Sequence, residues 1–280
     1  MKKILIPIDF NFNNYNAIDY AVNFFKRESC EFYFINTYSY EINGLDAIRF
    51  MQEDDAWFEK PKTDSIYSLG LLIQRYTCKN KFERHCFIAI SEYGNLIDGI
   101  KETIKKLQID LVLVAGKKCS EGKSCNYSPN TKRIIENVRD CPVMVIPESA
   151  TMQKNPQFIL ASTFEVELSM LELENWFEFV TIARGSVNIK ALGKKSKLTS
   201  VQNINQSRVL SQLEKLSKKV VAIEYLETAH DLKYFAGHNW DCIICLMDRK
   251  PDFWRKYGFS QSRITNFGPL TTTPLIALHR

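Results

Sequence analysis

Short apolar runs alternate with amphipathic stretches along the first half of the chain. "KKILIPIDF", "CEFYFINTY", "RHCFIAISEY", "DLVLVAG" and "CPVMVIPES" are dense in Ile, Leu, Val and Phe over lengths that suit strands. Between them, "NNYNAIDYAVNFFKRE" sets Ala17, Tyr20, Ala21, Phe24 and Phe25 at helical spacing, and "LIDGIKETIKKLQ" is amphipathic. The segment from Leu45 to Thr77 holds helical stretches such as "SIYSLGLLIQRY", and "TKRIIENVR" predicts one more helix. Apolar strands alternating with helices predict a parallel sheet covered on both faces.

The polar segment "SATMQKNPQ", Ser149 to Gln157, interrupts this rhythm and reads as a linker. The order then starts again. "FILAS" predicts a strand, "FEVELSMLELENWFEFV" a helix, "SVNIKAL" a strand, and "VLSQLEKLSK" a helix. "KVVAIEYL", "TAHDLKYFAGH" and "DCIICLM" continue as strand, helix and strand. A charged loop, "DRKPDFWRKYGFSQS", leads through "RITNF" to a last strand, "TPLIALH". "QIDLVLVAGKK" pairs with "NWDCIICLMDRK", and "CPVMVIPE" with "TPLIALHR", which makes an internal repeat at domain scale. The expected fold class is α/β: two tandem doubly wound domains, each on a five-stranded parallel sheet. Their expected boundaries are residues 1–148 and 158–280, with 149–157 between them.

A length of 280 residues suits two domains, and 45% hydrophobic with 25% charged residues is the balance of an ordinary globular protein. The opening "MKKILIPIDF" meets Pro7 and Asp9 before a signal-type apolar stretch forms, so it reads as a strand, and the expected location is the cytoplasm. No apolar run reaches the roughly 18 residues of a membrane span. A formal net charge of +5 is mild, and Lys194, Lys195 and Lys197 read as a solvated loop, so no nucleic-acid partner is expected.

The eight cysteines are expected as free thiols in a reducing compartment. Cys242 and Cys245, three apart in a strand, face opposite sides of the sheet. Cys119 and Cys125 share one loop, and a reversible disulfide between them is a minor alternative. His85, His230, His238 and His279 show neither a nucleophile partner nor metal-ligand spacing, and read as surface or satisfied groups. No metal site and no catalytic residue is assigned. Asp9 is the best functional carboxylate, with a role as a turn cap as the bland alternative.

These motifs together resemble the universal stress protein family in its tandem form. "KKILIPIDF" is similar to the family's first strand with its terminal acid, "DLVLVAGKK" to its fourth strand ending in glycine, and "CPVMVIPE" to its last strand. An unrelated doubly wound pair is the competing reading. The resemblance implies the adenine nucleotide alpha hydrolase-like fold. It implies an intramolecular pseudo-dimer through the last strands, as a monomer or a dimer of that unit. It also implies ATP or AMP, with magnesium, as ligand, adenine lying near the first-strand acid and phosphates on the loop after the fourth strand.

Carried over by residue, the site comprises Asp9, Gly116, Gly122, Ser128, Asn130 and Thr131, with Asn130 and Thr131 available as helix caps. The family loop runs glycine, two residues, glycine, nine residues, glycine, then Ser, Thr or Asn. Here the second glycine falls on Cys119 and the third on Pro129 or Ser128, so the cradle is eroded; Lys117, Lys118 and Lys123 offer compensating charge. A lost charge-assisted donor costs about 1.5–3 kcal/mol. In the second half the acidic position falls on Thr163, and the loop keeps the single glycine Gly258 among Phe253, Trp254 and Tyr257, which read as packing or partner contacts. The expected function is a stress-linked regulatory binding protein with weak adenine-nucleotide binding in the first domain and a protein partner. The alternatives are a nucleotide-free scaffold and a slow ATP hydrolase.

Overall fold

Burial on both faces makes β1 (Lys2–Pro7) a central strand: Ile4 and Ile6 enter one core and Leu5 the other. A computed structural model of the chain describes residues 1–10, 12–39, 55–116, 127–248 and 267–279. From β1 the chain runs through α1 (Phe12–Phe24), β2 (Cys30–Tyr38), α2 (Asp55–Lys79), β3 (His85–Tyr93), α3 (Leu96–Leu107), β4 (Leu111–Ala115), α4 (Pro129–Asn137) and β5 (Val143–Ile146). The second half gives β6 (Gln157–Ser162), α5 (Met170–Ala183), β7 (Ser186–Leu192), α6 (Ser200–Ser217), β8 (Ile223–Leu226), α7 (Ala229–His238), β9 (Cys242–Asp248) and β10 (Leu275–His279).

All of these strands join one ten-stranded sheet in the order β3-β2-β1-β4-β5-β10-β9-β6-β7-β8. Read outward from its centre, each half gives its fifth, fourth, first, second and third strand. Neighbours within a half are parallel, while β5 and β10 meet antiparallel, with Ile276 opposite Met144. The expected α/β class and the pairing of the two last strands are both present. One core holds the buried residues of α1, α2, α5 and α6, and the other those of α3, α4 and α7. Each core draws on strands of both halves.

Three local expectations shift. α5 starts at Met170, not Phe164, because Ser169 and Glu172 form a reciprocal capping box there and Phe164 is left-handed (φ 54°). β8 keeps only the end of "KVVAIEYL", and Val220 is exposed before it. The segment read as a linker is pinned: the Asn16 amide donates to Pro147 O at 3.0 Å and Ala150 O at 3.3 Å, and Ala150 is buried.

Candidate functional site

The carboxyl ends of β1 and β4 meet at a strand-order switch, where open α/β sheets form crevices. Leu5 lies level with Val112, and continuing that register sets Asp9 level with Gly116. The Asn36 amide donates to Ile8 O at 2.8 Å, and the Ile8 N–H donates to Ile35 O at 2.8 Å, which fixes the strand end. Asp9 is exposed and accepts a hydrogen bond from the amide of Asn14, a buried residue of α1. Phe10 follows with φ 58° and 39% exposure.

Gly116 sits where two strand ends come close together. It is not among the positive-φ glycines. Its N–H donates to Ile146 O at 2.6 Å, and a Cβ would stand 3.1 Å from that oxygen and 3.2 Å from Pro147 Cα. Close approach of the β5 end, rather than left-handed backbone, excludes a side chain here.

The start of α4 corrects the capping expectation. Ser128 is the N-cap: its Oγ accepts from the Thr131 N–H at 3.1 Å, and the two hydroxyls lie 2.8 Å apart. The Thr131 hydroxyl donates to Ala115 O at 3.2 Å, tying the helix start to the end of β4. Asn130 and Thr131 are thus inside the first turn, with Pro129 at its opening position, where a missing N–H is tolerated. Pro129 brings no donor and Thr131's is used by the cap, so Asn130 supplies the first-turn amide that the cap does not engage. The structure ties Ser128 and Thr131 to the end of β4, where Gly116 follows Ala115. Gly122 lies outside the described residues, as do Lys117, Lys118, Cys119, Lys123 and Cys125.

The second half repeats the turn after its first strand and closes it. Phe164, the counterpart of Phe10, has φ 54° but is 1% exposed. Its N–H donates to Ser162 Oγ at 3.0 Å, the Asn205 amide donates to its carbonyl at 3.0 Å, and the Gln202 amide donates to Thr163 O at 2.8 Å. Asn205 and Gln202 belong to α6, which therefore clamps this turn, whereas Asp9 and Phe10 at the equivalent place are exposed. Phe253, Trp254, Tyr257 and Gly258 lie outside the described residues.

Asn14, Asn16, Asn36, Gln202 and Asn205 were not singled out in the sequence. The one signal available was the run "NFNNYN", an excess of turn-forming amides after the first strand.

Other groups carry less chemistry. Cys242 and Cys245 are buried in opposite cores, and burial pushes the Cys242 thiol up to about 11 and Cys245 well above its ordinary range. His85 is buried, not on the surface; its Nε2 lies 3.0 Å from Phe25 O, and Nδ1 has no hydrogen-bond partner. Among the described residues no group of three His, Cys, Asp or Glu is placed to hold a metal, and no helix is long and apolar enough to cross a membrane. An open groove of about 570 Å³ runs along α6 past Ile204, Arg208 and Lys215; it has no residue in common with either crevice.

A family model described as the universal stress protein family matches residues 1–147. No curated protein matches the chain. Among solved structures, a universal stress protein from Archaeoglobus fulgidus DSM 4304 aligns with TM-score 0.73 and 12% identity, over 99% of this chain and 98% of that one. A functionally unknown protein from Pseudomonas aeruginosa PAO1 aligns with TM-score 0.62 and 8% identity, over 100% and 92%. The cytoplasmic domain of a prokaryotic cation chloride cotransporter aligns with TM-score 0.53 and 10% identity, over 99% and 94%. At these identities the likeness is one of fold.

Proposed function

The chain belongs to the universal stress protein family, and on that premise we propose that it is a regulatory binding module that takes an adenine nucleotide into the crevice of its first half. Residues 1–148 form the ligand-binding unit, residues 149–157 join it to residues 158–280, and this second unit serves as a built-in pseudo-dimer partner. What supports this most is the difference between the two crevices. Asp9 and Phe10 are exposed at the end of β1, whereas Thr163 and Phe164 are clamped by Gln202 and Asn205.

The chemistry suits a nucleotide with few phosphates. Asp9, held by Asn14, presents a carboxylate able to accept from the exocyclic amine of adenine. Gly116 lets the end of β5 close up against the end of β4 beside the crevice, and the Asn130 amide at the positive end of α4 meets one phosphate. With Pro129 and Thr131 contributing no further N–H, added phosphates gain little from the helix. AMP should therefore bind within a few-fold of ATP.

Titration calorimetry with AMP, ADP and ATP, with and without magnesium, tests this. Micromolar to sub-millimolar binding is expected, weakened about tenfold by Asp9→Ala, the loss of one charged hydrogen bond. Absence of heat at millimolar nucleotide, with the protein folded, would sink it.

A further inference from the structure

We propose that Phe10 is the platform on which the base of the bound nucleotide stacks, so that the crevice selects planar heterocycles over base-free phosphates. This rests on the nucleotide reading above and adds the residue that sets its specificity.

The inference starts from backbone strain. A left-handed φ is unfavourable for any residue with a Cβ, and it persists where surrounding structure enforces it. The chain uses this conformation twice at equivalent places, at Phe10 (φ 58°) and at Phe164 (φ 54°). In the second half a reason is visible: the turn drives the Phe164 ring into the core, where it is 1% exposed, and three hydrogen bonds hold the backbone. In the first half the same turn leaves Phe10 39% exposed, so burial offsets the strain less than it does at Phe164. This exposed aromatic residue directly follows Asp9, whose carboxylate the Asn14 amide holds. Strained residues of this kind cluster at ligand sites.

Among the described residues, nearby aromatic rings have partners of their own. Tyr38 and Tyr93 pack against each other at 5.9 Å, and Arg75 sits 4.3 Å over the Tyr15 ring. Phe10 adjoins Asp9 directly. A base with its amine on Asp9 would lay its face on that ring, a contact open to any base and specific for a flat π-system.

The test compares AMP with ribose 5-phosphate, which lacks the base. Wild type should prefer AMP. Phe10→Leu, which keeps apolar bulk and loses the ring, should bind AMP about tenfold more weakly and ribose 5-phosphate unchanged. Phe10→Tyr should restore AMP affinity. In Phe10→Trp, AMP should quench the new indole fluorescence and ribose 5-phosphate should not. AMP bound equally by wild type and Phe10→Leu overturns the platform and leaves the nucleotide reading standing. AMP that binds Phe10→Trp by calorimetry without quenching does the same. No AMP binding by the wild type overturns both.

Discussion

At the scale of single residues, His85 makes a pH-dependent contribution to stability. It is buried between the end of α1 and the start of β3, edge-on to Phe32 at 5.1 Å. Burial pushes its imidazole below the ordinary value near 6.5, against the carbonyls of Phe25 and Glu28, which pull it upward. The neutral ring is therefore the folded form. Above pH 6.5 neither folded nor unfolded chain takes up this proton, and the contribution of His85 is fully present. As pH falls from there toward the lower folded value, the unfolded chain binds the proton first and stability is lost. Melting temperatures between pH 7.5 and 5 should fall more steeply for wild type than for His85→Gln. Parallel profiles for the two proteins would remove His85 as the source.

At the scale of elements, the cap of α4 joins helix stability to the geometry of the crevice. Ser128→Ala removes the acceptor of the Thr131 N–H and frees the Thr131 hydroxyl from its neighbour, so it should cost about 1 kcal/mol and loosen nucleotide binding as the helix start shifts. Thermal melts and AMP titration of one variant read both effects; full stability with normal binding would show the cap to be idle. The sequence made most elements legible because strands buried on both faces read as continuous apolar runs, as in β1, β2 and β4, and helices bury residues at helical spacing, as in α1 and α3. "FEVELS" misleads because Phe164 spends its apolar side chain on plugging a turn, and helix α5 waits for the Ser169 cap. In the site, Asp9, Gly116 and Ser128 stand out because a strand-end acid, a glycine and a helix start have fixed places relative to strands. Asn14, Asn36 and Asn205 do not. An amide suits any turn, and its partner is chosen by tertiary placement: Asn205 reaches Phe164 O from a helix 41 residues away.

At the scale of the whole molecule, the two halves share their cores as well as a sheet. Phe24 of α1 meets Phe158 of β6 edge-on at 6.5 Å, and Phe158 meets Trp176 of α5 at 6.3 Å. Gly185 completes the fit, since a Cβ there would stand 2.5 Å from Pro156 O and 2.6 Å from the Phe158 ring. Lys2 bridges the halves at the surface, 2.7 Å from Glu178 and 3.3 Å from Asp110, but an exposed pair of this kind adds at most about 1 kcal/mol. The apolar contact outweighs it: Phe158→Ala should cost about 3–5 kcal/mol. Multidomain chains commonly unfold in steps. Here backbone pairing of β5 with β10 and the Phe24–Phe158–Trp176 contact leave neither half a finished surface of its own, so one transition is expected. Urea unfolding followed by tryptophan fluorescence and by far-ultraviolet circular dichroism should coincide, and Phe158→Ala should move the whole curve. Two resolved steps, with Phe158→Ala moving only one, would instead make the halves independent folding units, and the second half would then be a passenger rather than a partner.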